Sequence, residues 1–101
     1  MDTVPAKATV QIDNDHVRVT EWQFPKGAET GWHRHELRYV VVPGTTGALI
    51  VASESGETRS DLVAGVSYFR EAGSTHNVIN RSDSDFVFVE IELKEQRTAA
   101  L

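Results

Sequence analysis

Short alternating segments separated by polar turns leave this chain little choice but β-sheet. The last segment is the clearest. From Phe86 to Leu93, Val87, Val89, Ile91 and Leu93 share one face, and Phe86, Phe88, Glu90 and Glu92 share the other. That is the period of two a strand imposes. His16 to Phe24 alternates too, with Val17 and Val19 opposite Arg18 and Thr20. Asp13-Asn14-Asp15, Pro25-Lys26-Gly27, Pro43-Gly44-Thr45-Thr46-Gly47 and Arg81-Ser82-Asp83-Ser84-Asp85 are turns, because these residue types tolerate or enforce turn geometry. Ala48 to Ser53 and Thr58 to Val63, around Glu54-Ser55-Gly56-Glu57, predict a hairpin. Ala8 to Ile12, Thr30 to Val42, Val66 to Arg70 and His76 to Asn80 complete eight or nine short strands. No amphipathic helix is visible. The expected fold is an all-β sandwich or barrel.

At 101 residues, the chain is long enough for one domain with its own core. The expectation is a single domain over 1–101, with a core from about 8 to 94 and short flexible termini. The polar tail from Lys94 is expected to fray. There is no cysteine, which excludes disulfides, thiolate ligands and a catalytic thiol. Met1-Asp2-Thr3-Val4-Pro5 has neither the basic nor the apolar region of a signal peptide, and no apolar run approaches a membrane span. A cytoplasmic protein without a membrane partner is expected. Fifteen acidic residues against ten basic ones give a net charge of −5, which argues against a nucleic-acid partner.

Two of the four histidines sit one residue apart, in His33-Arg34-His35. If this segment is extended, both side chains point the same way, roughly 7 Å apart at the Cα atoms. Such a pair can share one metal ion, and a third imidazole from another strand would complete a triangular face. His76 lies downstream in a Gly-containing segment. By the same parity Tyr39 faces the side of His33 and His35, while Glu36 points away unless a bulge re-aims it.

The spacings resemble the two-part pattern of the cupin family. Gly27, His33, His35 and Gly47 match the first part, and Gly65, Gly73, His76 and Asn80 match the second. Glu71 stands where the family has proline. No carboxylate occupies the place of the family's glutamate, which falls at Arg38, Tyr39 or Val40. A narrower similarity, over Gly31–Glu36, Tyr39–Pro43, Gly65–Gly73, His76–Asn80 and Phe86–Lys94, is to the small single-domain cupins named for β-alanine degradation (BauB-like). The resemblance implies a cupin-type jelly-roll β-barrel of two antiparallel sheets and a homodimer. It also implies three metal ligands, His33, His35 and His76, around a divalent transition metal such as Fe, Mn, Ni or Zn. A three-His face keeps positions open for substrate, water or dioxygen, as a catalytic metal needs.

Around that centre, Tyr39 is a candidate cavity-lining residue or proton donor. Arg34, Arg38 and Arg70 are candidate clamps for a substrate carboxylate through paired hydrogen bonds. Asn80 is expected to hold a turn or strand end. Glu90 and Glu92 share a face with Phe86 and Phe88 and need partners, solvent or an acid–base role. The expected function is a metal-dependent enzyme, dioxygenase-like or a lyase or isomerase, acting on a small polar or carboxylated metabolite. The alternative is a non-catalytic small-ligand or metal-binding module.

Overall fold

Alternation becomes two facing sheets in the computed structural model, which describes residues 3–94. Eleven strands are present among the described residues: β1 (Val4–Pro5), β2 (Lys7–Asp13), β3 (Val17–Phe24), β4 (Ala28–Glu29), β5 (His33–Arg34), β6 (Tyr39–Pro43), β7 (Gly47–Ser53), β8 (Gly56–Leu62), β9 (Tyr68–Arg70), β10 (Thr75–Ile79) and β11 (Phe86–Leu93). One sheet runs β1-β4-β10-β7-β8, with β5 also paired to β10. The other runs β2-β3-β11-β6-β9. The pairings are antiparallel except that of β1 with β4. This is a jelly-roll sandwich, and no helix occurs among the described residues.

The strand count exceeds the expected eight or nine because β1, β4 and β5 are two-residue pairings. Such short strands carry no alternation to detect. A second difference matters more. The expected strand from Thr30 to Val42 is two strands in two sheets: β5 pairs β10, and β6 pairs β11 and β9. The chain crosses between the sheets at residues 35–38. Two backbone bonds hold this corner, His35 N–H to the Ser74 carbonyl at 2.9 Å and Gly73 N–H to the His35 carbonyl at 2.7 Å.

β11 pairs along its whole length with β3, from Phe86 opposite Phe24 to Leu93 opposite Val17. Its Phe86, Phe88 and Glu90 are buried, while Val87, Val89 and Ile91 are half-buried on the other face. Phe24, Phe86, Phe88, Tyr39, Val41, Leu49, Leu62 and Val78 form the core between the sheets. Phe24 and Phe88 rings meet at 5.4 Å, within the range in which aromatic pairs attract beyond simple burial.

Asn80 closes one end of the sandwich. Its side chain is fully buried. Its Nδ2 donates to the carbonyls of Phe24 at 3.1 Å and Ser84 at 2.8 Å. Its Oδ1 accepts from the backbone N–H and the hydroxyl of Ser82, at 3.1 and 2.7 Å. The amide therefore ties the end of β3 to the turn between β10 and β11. The expected fraying of the tail concerns mostly residues 95–101, which lie outside the described residues. Lys94 itself is tied down, its N–H donating to the His16 carbonyl at 2.9 Å and its ammonium pairing with Asp13.

Replacing Asn80 with alanine leaves buried carbonyls and a turn amide without partners. The expected loss is about 3 kcal/mol of unfolding free energy. It is read as a lower urea midpoint at unchanged m value.

Candidate metal centre

The short pairing of β5 with β10 sets His33 directly across from His76, and the corner that follows turns His35 inward. The three rings meet edge-on, with centroids 4.7 Å apart for His33–His35, 5.0 Å for His33–His76 and 4.7 Å for His35–His76. His35 Nε2 lies 3.1 Å from His33 Nε2 and 2.9 Å from His76 Nε2. One potential ligand atom from each histidine falls within 4.8 Å of the others. His35 is only 5% exposed.

Hydrogen bonding around the ring edges fixes which nitrogen faces inward. His33 Nδ1 lies 2.8 Å from the Gly31 carbonyl. A carbonyl only accepts, so Nδ1 carries the hydrogen and, in the neutral ring, Nε2 presents a bare lone pair. Gly31 is itself fixed: it sits at a φ of 86°, a conformation suited to glycine. Its N–H donates to Asn77 Oδ1 at 2.9 Å, and Asn77 Nδ2 donates to Glu29 at 3.0 Å. The Glu29–Asn77–Gly31–His33 chain is an outer shell that orients a ligand nitrogen. Three converging imidazole nitrogens have too few hydrogens to bond one another in every direction. A cation satisfies all the lone pairs at once. The separations of 2.9 and 3.1 Å suit a single ion at the usual metal–imidazole distance of about 2.1 Å. The donor set therefore fits a divalent transition metal.

The histidines form one end of a cavity of about 450 Å³ between the sheets. Tyr39, Arg70 and Glu90 line it; Arg34 and Arg38 are not among its lining residues. The Tyr39 ring stacks on His35 with centroids 4.1 Å apart. Strand parity put Tyr39 on the histidine side through a continuous strand; the structure puts it there across a corner. Burial, with the nearby Glu90 charge, pushes the Tyr39 phenol up to about 12 against a hydrogen bond with Ser74. It keeps its proton at neutral pH.

The arginines part ways. Arg70 lies over the Tyr68 ring, 4.3 Å from its centroid. Arg34 turns outward, bonding the Gly73 carbonyl at 3.2 Å and facing Glu36 at 3.3 Å. Arg34 thus points away from the cavity, and of the three candidate arginines only Arg70 is among its lining residues. Glu36 is exposed and joins Arg34 rather than the histidines. Glu92 makes a two-bond pair with Arg18, at 2.7 and 3.0 Å.

Glu90 is different: it is 8% exposed, and its Oε2 is 3.9 Å from His35 Nδ1, beyond a direct hydrogen bond. Burial and the Glu92 charge push its carboxyl up to about 7, opposed by a hydrogen bond from Trp22 and by the charge of Arg18. Thr30, Asn77 and Trp22 were not singled out as site residues in the sequence. Asn77 pairs with Gly31 across 46 positions, a contact no local pattern encodes. Trp22 had a signal, because it shares the inward face of β3 with Thr20 and Phe24.

Burial and the neighbouring imidazoles pull His35 and His76 from the ordinary 6.5 down to about 4. Between those values the unfolded chain binds protons at these positions that the folded chain does not. The metal-free protein therefore loses stability as pH falls from about 6.5 to 4. Glu90 acts oppositely. Raised to about 7 from 4.5, it holds a proton in the folded state that the unfolded chain lacks, and adds stability as pH falls through that window. Two histidines outweigh one carboxyl, so urea midpoints of chelator-stripped protein should drop on acidification. Glu90→Gln removes the offset and should make that drop steeper.

The Cupin domain family matches residues 20–92. The beta-alanine degradation protein BauB of Pseudomonas aeruginosa is 56% identical over 89 residues, covering 88% of this chain and 94% of that protein. The crystal structure of a cupin domain from Bordetella pertussis superposes with a TM-score of 0.92 at 59% identity, covering 94% of this chain and 99% of that one. A cupin superfamily protein from Desulfitobacterium hafniense shares the fold at 14% identity, with a TM-score of 0.69 over 94% of this chain and 83% of its own. The matched stretch runs from β3 to β11 and holds all three clustered histidines, and the chain belongs to the cupin family.

Proposed function

We propose that this protein is a metal-dependent enzyme that acts on a small carboxylated metabolite at the His33–His35–His76 face. The observation that carries this reading is the convergence of the three imidazoles, with His33 Nε2 aimed inward by the Nδ1–H bond to Gly31. A bound divalent metal would supply Lewis-acid or redox chemistry there. Three protein ligands would leave positions for substrate.

The chain's own residues divide the remaining work. Tyr39 packs on His35 and keeps its ring in place. Arg70, on the cavity wall, is the arginine best placed to hold a substrate carboxylate. The half-apolar wall around Val41, Leu49 and Val78 excludes water. Glu90 is the acid–base candidate, taking or returning a proton at its cavity-facing carboxylate. A buried carboxyl with its affinity near neutrality suits that task. This favours a lyase or isomerase over the dioxygenase-like reaction. The name of the Pseudomonas relative supports a role connected with β-alanine degradation.

Elemental analysis after expression with Fe, Mn, Ni and Zn should find metal bound. His33→Ala and His76→Ala should each cut the content roughly ten-fold or more. Wild-type stoichiometry in either variant would remove that histidine from the centre. With metal-loaded protein and a panel of small carboxylic acids in D₂O, proton exchange beside the carboxyl should be detected by NMR. Glu90→Gln should slow it roughly 100-fold without changing metal content. Oxygen uptake without exchange would support the dioxygenase-like reaction instead. Binding with neither activity would identify a non-catalytic module.

A further inference from the structure

The cavity reaches the surface at two edge strands. β8 ends one sheet and β9 ends the other, and both contribute to the lining. On β8, Leu62 is buried and Ser60 half-buried, while Arg59 and Asp61 are exposed. Strand alternation therefore turns Thr58, Ser60 and Leu62 to the inner side. On β9, Tyr68 and Arg70 share the inner side. Thr58 and Arg70 are exposed, whereas Val41 and Leu49 on the neighbouring strands are buried. These edges form the lips of the cavity.

Register fixes how the lips stand to the histidines. Arg70 lies opposite Tyr39, the residue stacked on His35. Thr58 lies opposite Val51 and Ser60 opposite Leu49, and Val51 lies opposite Val78, two positions beyond His76. The lips differ in chemistry. Arg70 gives one N–H to the Phe69 carbonyl at 3.0 Å, out of the five a guanidinium carries. Arg59 borders the cavity too, but it pairs with Asp61 at 2.9 Å on the outer side of β8. Ser53, Thr30 and Ser74 give their hydroxyls to partners within the chain. Among the described residues, the Thr58 and Ser60 hydroxyls have none.

We propose that this mouth takes a short monocarboxylic acid with an uncharged oxygen group, a carbonyl or hydroxyl, a few carbons from the carboxylate. Arg70 holds the carboxylate on one lip. Thr58 and Ser60 bond the distal oxygen on the other, since a hydroxyl both donates and accepts. The apolar side chains of Val41, Leu49 and Val51 cover the carbons between. A second carboxylate would meet no inward cation on β8 and would add its charge to that of Glu90, the acidic residue of the lining. An ammonium group there would meet hydroxyls and no carboxylate. Either charge would lose water without gaining a partner. That such an acid is turned over rests on the function proposed above; its capture needs only these side chains.

NMR titration of the full chain, metal-free and zinc-loaded, reads the Kd of pentanoate, 4-oxopentanoate, 5-hydroxypentanoate, pentanedioate and 5-aminopentanoate. An oxygenated acid should bind about five-fold or more tightly than pentanoate. Pentanedioate and 5-aminopentanoate should bind no better than pentanoate. Thr58→Val with Ser60→Ala nearly conserves volume on an edge strand, and circular dichroism should show the variant folded. It should erase the preference while leaving pentanoate binding unchanged. Arg70→Gln should weaken every acid about ten-fold or more. Equal binding of plain and oxygenated acids overturns the proposal. So does tightest binding of the diacid or amino acid, a preference that survives the double variant, or no binding at all. A preference without metal uptake or proton exchange would support this ligand site and overturn the catalytic reading. Exchange without a preference would overturn the ligand site alone.

Discussion

The pairing of β5 with β10 is the contact on which the site depends. It is only two residues long, Arg34 opposite Thr75 and His33 opposite His76. Directly opposed residues in an antiparallel pair have side chains within about 5.5 Å. That brings together two imidazoles separated by more than forty positions. Neither strand could hold this register alone. β10 is anchored by β7 on its other side. The corner after β5 is locked by the exchange of backbone bonds between His35 and the Gly73–Ser74 segment. The glycine positions matched by the family pattern make physical sense in this light, since Gly73 sits at a φ of 108° where its amide must reach back to His35.

Three polar groups of the sandwich, of which only Glu90 lines the cavity, are each handled differently. Asn80 is satisfied by carbonyls, an amide and a hydroxyl, and acts as a structural tie. Glu92 is neutralised by Arg18 at the margin. Glu90 has neither arrangement: it is buried, held by Trp22, and its proton affinity is raised toward neutrality. A carboxyl in such surroundings costs stability as an anion. That cost accords with the acid–base role proposed for it. Beside it, burial keeps His35 and His76 unprotonated well below neutral pH, so their lone pairs are available without displacing protons.

Strand alternation made the architecture readable before any coordinates. Phe86 to Leu93 has the bounds and facing read from its pattern, and the hairpin around Glu54–Glu57 is where its turn residues put it. The two-residue strands β1, β4 and β5 were not readable, because a pairing that short leaves no period. The same gap hid the break in the expected Thr30–Val42 strand. The histidines were nevertheless identified together, because motif spacing reflects which residues meet and not the path between them. The arginines show the opposite case. Arg34, Arg38 and Arg70 look alike in sequence, and their directions depend on corners and edges that residue types do not encode.

Residue order alone was enough to establish an all-β chain with alternating faces, turns at its Gly, Pro, Asn and Asp clusters, and three spaced histidines of cupin type. Those properties are local, arising from side-chain period and backbone preference within a few residues. Which sheet each half of the histidine segment joins emerged only in three dimensions. So did the inward turn of Glu90 and Arg70 and the outward turn of Arg34. These depend on pairing register between distant segments, where a one-residue shift moves every side chain to the other face.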